Sequence, residues 1–346
     1  MILSFVILCC DKDYQMIAAL LDNIRDVWNK QHVSFDTYEV IIIDNRENEK
    51  NTAVNWHTHV EHLLVHKSGK NIRQFMSRNI GVQLASGDYV WFVDADDSIL
   101  EIPTLSAFSD MHFYKVPVMY DGYGVFITAY SNMLLKSYIE ITDSNRQDFA
   151  DLLLSDAAIV LWDRIIKRDL LLKCYNSISV DDLHDISASE DFMLSVLLIN
   201  NCADLSFTSE QCYRYNIDIS SMGAKVVDND TFDRMVYGYH KVIEYLYSMQ
   251  DLSINIQHIL KSSILSMLYN VCIRLPVCKD KQHVINWLLK YWRMHTIYET
   301  LNNLNTLDYD NQSIIECIVM LMNSECTTEH FTLEEIYETI CTDTVL

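Results

Sequence analysis

The chain has 346 residues, 50% of them hydrophobic, which is enough for a sizeable core and a second domain or appendage. Its 7 glycines and 3 prolines, against roughly 40 at average usage, exclude collagen-like, linker-rich and low-complexity chains and disfavour a turn-rich all-β protein. A net charge of −22, with no cluster of Lys and Arg, excludes a nucleic-acid surface and disfavours docking on anionic lipid.

The apolar opening, Met1 to Cys10, lacks a cationic segment and runs directly into Asp11, so it reads as a strand and not as a signal peptide. SFVILCC is a short continuous apolar run that suits a buried parallel strand. Residues 14–29 carry apolar groups at helical spacing. YEVIIID is a second buried strand ending in Asp44, and His62 to His66 a third, weaker one. Residues 71–85 read as a helix closed by Ser86-Gly87-Asp88, and YVWFV is a fourth strand running into Asp94-Ala95-Asp96-Asp97. This order describes an α/β sheet of parallel type, whose ligands bind beyond the carboxyl ends of the strands. Asp44 and Asp94 to Asp97 lie on that edge. Residues 111–140 alternate as strands do, 148–173 look helical, and 190–199 begin a helix with an acidic first turn. From about 228 onward only helices are expected: 231–249, 255–274, 282–303, 311–323 and 331–341. Ten cysteines without C-x-x-C spacing fit reduced thiols in a cytoplasm better than disulfides or zinc. No run of about 18 apolar residues is present, so no membrane span is expected.

Three carboxylates within the tetrad Asp94-Ala95-Asp96-Asp97 repel one another at a strand end. A divalent cation with a preference for hard oxygen ligands, Mg²⁺ or Mn²⁺, relieves that repulsion and can bridge the phosphates of a nucleotide diphosphate. The ordinary reading is a solvated acidic turn.

The context favours the first reading. Arg78-Asn79-Ile80-Gly81, then Ala85-Ser86-Gly87-Asp88-Tyr89, an apolar strand and the DADD tetrad together resemble the core of the family 2 glycosyltransferases. The opening strand and its helix, ending Leu21-Asp22-Asn23-Ile24, and the second strand EVIIIDN are similar to that family too. So are VLWDRIIKR (Val160 to Arg168), Ser189-Glu190-Asp191-Phe192, and Tyr213-Arg214-Tyr215 with Ser220-Ser221. The resemblance covers about residues 1–222. It implies a GT-A fold with a Rossmann-like mixed sheet, here followed by an all-helical C-terminal region, 223–346, for acceptor, partner or oligomer contacts.

The resemblance also implies roles. Cys9 and Asp11 at the first strand exit would line the nucleotide. Asp44 would meet the uracil or ribose of a UDP-type donor, and Arg78 would lie near the base or diphosphate. Asp94, Ala95 and Asp96 would hold ribose, donor sugar and diphosphate, with Asp96 and Asp94 on the metal; Asp97 would sit nearer donor sugar or acceptor. Asp191 would be the general base, with Glu190 raising its pKa by like charge. The glycines 81 and 87 would serve where the backbone turns tightly before the DADD strand. The implied enzyme is an inverting, Mn²⁺- or Mg²⁺-dependent transferase that moves a sugar from a nucleotide diphosphate to a glycan or lipid-linked hydroxyl. Its setting would be surface polysaccharide assembly, in the cytoplasm or at the inner face of the membrane, with self-association through the C-terminal helices. The alternatives are a non-catalytic nucleotide-sugar-binding scaffold subunit and a sugar nucleotidyltransferase. The latter should carry a glycine-rich first loop, which is absent here.

Each residue also has an ordinary structural reading. Asp44 could cap the turn that follows it, Arg78 could be a surface helix residue, and Glu190-Asp191 could be only a favourable helix N-terminal pair. Trp162 could be core or a sugar platform, Tyr213 and Tyr215 could be structural, and His184 an exposed loop residue. The chain departs from the family pattern on the nucleotide side: the first loop reads Cys9-Cys10-Asp11-Lys12-Asp13-Tyr14, the second Asp44-Asn45-Arg46-Glu47, and Arg164 replaces a lysine. Base and sugar therefore stay open.

Overall fold

The computed structural model describes residues 2–10, 14–31, 37–46, 56–104, 109–120, 123–127, 138–155, 160–178, 186, 189–217, 229–249 and 252–255. Strand β1 (Ile2–Cys9), helix α1 (Tyr14–Lys30), β2 (Thr37–Asp44), β3 (Leu63–Lys67), α2 (Arg73–Leu84) and β4 (Tyr89–Val93) come in the expected order. β1 lies between β2 and β4, β3 flanks β2, and all four run parallel. Their carboxyl ends therefore share one edge, and the register sets Cys9 beside Asp44 there.

The sheet then changes direction. After β5 (Ser98–Ile99) come β6 (Met111–Tyr120), β7 (Tyr123–Ile127), β8 (Tyr138–Glu140), α3 (Arg146–Ser155), β9 (Arg164–Lys167), α4 (Arg168–Asn176), α5 (Glu190–Asn201), β10 (Asp204–Gln211), β11 (Tyr213–Ile217) and α6 (Asn229–Ser248). The main path of the sheet is β3-β2-β1-β4-β9-β6-β10-β8. β9 is antiparallel to both neighbours, which makes the sheet mixed. The far half of β6 leaves this path to pair with β7 and β11, and β11 also pairs with β5, just past the DADD tetrad. The expected single helix over 148–173 is corrected here to helix, strand and helix. Ile165 and Ile166 are both fully buried as β9 bridges β4 and β6, so this short strand shows no alternation that could reveal it.

Side chains of β1 divide the core. Leu3, Phe5, Ile7 and Cys9 pack with Ile17, Leu20, Leu21 and Ile24 of α1. Val6 faces the other side, with Phe75 and Val82 of α2, Leu171 of α4 and Leu197 of α5. Each such buried side chain contributes about 1.5–3 kcal/mol relative to exposure. Val242, Ile243 and Leu246 of α6 join this second layer, and the Tyr245 hydroxyl donates to the Ser177 carbonyl at 3.1 Å. The helices expected beyond residue 255 lie outside the described residues. No helix among the described residues is long and apolar enough to cross a membrane.

The motif glycines serve a different purpose from the one expected. Among the described glycines only Gly69 has a positive φ, so neither Gly81 nor Gly87 supplies a left-handed turn. Both supply space. A Cβ on Gly81 would overlap Val6 Cγ1, where α2 crosses β1. A Cβ on Gly87 would overlap Ser4 Oγ and sit 2.9 Å from the Ile2 carbonyl oxygen. The Gly87 N–H donates to Ser4 Oγ at 3.0 Å and to Glu39 Oε1 at 3.1 Å, tying β4 to β1 and β2. Gly87→Ala should therefore lower stability by about 1–3 kcal/mol through overpacking against backbone. A urea midpoint equal to that of the wild type would contradict this.

Candidate active site

The DADD tetrad leaves β4 as a turn in which the Asp97 N–H donates to the Asp94 carbonyl at 3.2 Å. Asp96 is exposed, Asp94 half-buried, and Ala95 and Asp97 buried. β11 fixes this arrangement. The Tyr213 hydroxyl accepts from the Asp94 N–H at 3.0 Å and donates to Asp97 Oδ2 at 2.6 Å. The Asn216 N–H donates to Asp97 Oδ1 at 2.7 Å, and its side-chain amide to the Asp96 carbonyl at 2.8 Å. Asp97 is thus turned inward onto β11, while Asp96 is exposed. Burial, reinforced by the charge of Asp94, pushes the Asp97 carboxyl up to about 8 despite its two hydrogen bonds.

Trp162 forms the floor beneath this anchor. It is 9% exposed, and its ring stacks on Tyr213 and Tyr215 at centroid distances of 5.4 and 4.8 Å. The fold therefore uses Trp162 as core packing for the loop, which answers one alternative that the sequence left open. Asn216 carried no signal in the sequence, because half of its role is a backbone N–H.

On the neighbouring strand end, Asp44 is buried and held by its own chain. Arg46 Nε and Nη2 donate to its two carboxylate oxygens at 2.8 and 2.7 Å, and the Arg46 N–H to Oδ1 at 3.2 Å. The guanidinium lies 5.6 Å from the Trp56 ring centroid. The turn-capping reading of Asp44 is present in the structure, and Arg46, a departure from the family pattern, supplies the bidentate cation. Cys9, expected to line the nucleotide, ends β1 beside Asp44. Strand alternation turns its side chain into the α1 layer, and its carbonyl accepts from the Asn45 N–H at 2.8 Å. Asp11 and His184 lie outside the described residues.

Arg78 is not a surface residue. It is 4% exposed, and its Nη1 donates to Glu190 Oε1 at 3.3 Å and to Asp191 Oδ1. Its guanidinium is 5.8 Å from the Phe92 ring centroid. Burial opposes its charge, but Asp191, Glu190 and then Asp94 hold its pKa above the ordinary value. Arg78 therefore connects electrostatically to both acidic motifs. Glu190 and Asp191 begin α5 after Ser189, whose φ of 62° is left-handed. Burial pushes the Asp191 carboxyl up to about 7; Arg78 pulls it back and Glu190 pushes it further up.

Among the described residues no group of three or more His, Cys, Asp or Glu side chains converges into a metal cage. With Asp97 turned inward, Asp96 is the exposed carboxylate of the tetrad and Asp94 is half-buried beside it. Two carboxylates are a donor set that fits Mg²⁺ or Mn²⁺, which complete their shells with water and substrate phosphates.

The mixed α/β sheet, with an acidic loop at the exit of its fourth strand, has the GT-A fold. Residues 4–108 match the family model described as glycosyl transferase family 2. The crystal structure of S. aureus TarS residues 1–349 in complex with UDP-GlcNAc shares the fold, with a TM-score of 0.63 and 16% identity over 99% of this chain and 91% of that one. The same S. aureus fragment with UDP gives 0.46 and 16% over 92% and 81%, and a longer S. aureus TarS chain 0.47 and 17% over 91% and 55%. No curated protein matches the sequence.

Tyr213→Phe removes the acceptor of the Asp94 N–H and one donor to buried Asp97, and should cost about 1–3 kcal/mol. Denaturation at neutral pH checks this; unchanged stability would mean that the tyrosine hydroxyl does not anchor the loop. Ser189→Gly relieves a left-handed residue and should leave the melting temperature unchanged or higher, whereas Ser189→Val should lower it.

Proposed function

We propose that the protein is an inverting, metal-dependent glycosyltransferase that uses a nucleotide diphosphate sugar of the UDP class. The observation that supports this reading is Arg78, which bonds Glu190 and Asp191 and also feels the charge of Asp94, so that the two acidic motifs act on one buried cation. The donor class rests on the family 2 match of residues 4–108 and on the UDP-GlcNAc complex of the S. aureus neighbour. Residues 1–222 would form the catalytic unit, with 223–346 serving acceptor, partner or self-association contacts. A glycan or lipid-linked hydroxyl of a surface polysaccharide would be the acceptor.

Asp191 is the residue that moves the proton. As the acceptor oxygen bonds to the anomeric carbon, its proton passes to the Asp191 carboxylate and the bond from that carbon to the diphosphate breaks. Attack opposite the leaving diphosphate inverts the configuration. A carboxylate pushed up to about 7 is a stronger base than an ordinary one and still ionised in large part near neutral pH. Asp94 and Asp96 would hold a divalent ion, which when bound neutralises charge on the departing diphosphate. Tyr213 and Asn216 keep these two carboxylates at the strand exit by holding the loop.

UDP release from a panel of UDP-, GDP- and dTDP-sugars, with and without Mn²⁺, tests the reading. The expected result is turnover with a UDP-sugar that Mn²⁺ requires and Asp96→Ala abolishes. Metal-independent turnover surviving in that variant would remove the metal role. Asp191→Asn should lower kcat by about 10²–10⁴-fold while UDP still binds. Because only ionised Asp191 can accept the proton, kcat should rise with pH through about 7 and then level off. A rate independent of pH between about 5 and 9 would contradict this assignment.

A further inference from the structure

By its motif, Arg78 belongs beside the base or diphosphate of the donor, but the fold commits it elsewhere. Nη1 reaches two carboxylates that lie 112 and 113 positions away in the chain. The helix that carries it is fixed on both sides of Arg78. The Asn45 side-chain amide donates to the Ser77 hydroxyl at 2.7 Å, and Gly81 packs directly on Val6. The helix that carries Asp191 is fixed as well, because left-handed Ser189 starts it and the Met193 N–H donates to the Ser189 carbonyl at 3.0 Å. The side chains of Arg78 and Glu190 are 5% and 6% exposed, while that of Asp191 is 21% exposed. Of the three, Asp191 is the one that reaches the site.

We propose that Arg78 is a positioning residue for glycosyl transfer: it holds Asp191 by Oδ1, so that the rest of that carboxylate meets the acceptor hydroxyl. This rests on the reading of Asp191 as the base. The other groups that face Asp191 are Glu190 on its own helix, Tyr175 of α4, Asp163, and Arg164 of β9. Asp94 acts on the cluster through Arg78. Burial and the two neighbouring acids favour the protonated form; Arg78 is the cation in hydrogen-bond contact that opposes them. Arg164 acts at longer range and is already committed to Asp163 at 2.6 Å.

The test compares pH profiles of kcat, read as UDP release from the donor with highest turnover in the panel above, with UDP affinity by calorimetry. The proteins are wild type, Arg78→Gln, Arg78→Lys and Asp191→Asn. In Arg78→Gln the acidic limb should move up by about one to three pH units, because an opposite charge in contact has been removed. Arg78→Lys keeps the charge but not the fork, so the limb should stay near its wild-type position while kcat falls by about tenfold. In both variants UDP affinity should stay within about threefold of wild type, since the loss lies in the transfer step. An unmoved limb in folded Arg78→Gln would overturn the proposal. So would a loss of UDP affinity of more than about tenfold in either variant, which would return Arg78 to the donor. If Arg78→Gln does not fold, Arg78→Lys decides by its kcat and its UDP affinity; a wild-type kcat would overturn the proposal. Asp191→Asn separates the two readings. Wild-type turnover there removes the base assignment itself, whereas a dead Asp191→Asn beside an unshifted Arg78→Gln removes the role of Arg78 alone.

Discussion

Negative charge at one edge of a sheet is the constraint around which this protein is built. Asp44, Asp97 and Glu190 are buried, and Asp191 and Asp94 are half-buried. An unpaired buried carboxylate is too costly to keep ionised, so each must find a specific partner or a proton. Asp44 is held by the fork of Arg46, Glu190 and Asp191 by Arg78, and Asp97 by Tyr213 and Asn216. Those partners come from the turn after β2, from α2 and from β11. The pairing therefore also joins the parallel half of the sheet to the mixed half.

The same pairing sorts the carboxylates by task. Within the tetrad, hydrogen bonds from β11 draw Asp97 inward, while Asp96 stays exposed and Asp94 half-buried, the two carboxylates proposed to hold an ion. In the second acidic motif, Arg78 takes one oxygen of Asp191, and the side chain keeps its access to solvent. Stacking of Trp162 between Tyr213 and Tyr215 makes the anchor stiff. A stiff loop suits a site in which charge develops on a leaving group, because fixed groups need no reorganisation during the reaction.

Much of this was legible in the sequence where the signal is contiguous. The first four strands announce themselves as apolar runs, and Asp94 to Asp97 and Glu190-Asp191 each stand together at the end of an element. What stayed hidden depends on distant pairing. Nothing in local spacing says that Arg78 meets Asp191, that Arg46 folds back on Asp44, or that the Asn216 backbone holds Asp97. β9 was hidden because a strand buried on both faces lacks a period and resembles a piece of helix. The glycines 81 and 87 were visible, but composition could not distinguish a need for a tight turn from a need for space. Only the approach of Val6 and Ser4 decides it.

The most direct test of this account is whether the acidic loop binds a cation. Mn²⁺ uptake can be followed by electron paramagnetic resonance while UDP is added. If Asp94 and Asp96 hold a cation, a single Mn²⁺ per chain should be taken up with UDP in the wild type. Arg78→Lys should retain that uptake and Asp96→Ala should lose it. Uptake by Asp96→Ala equal to that of the wild type, or none in the wild type with UDP present, would contradict the account.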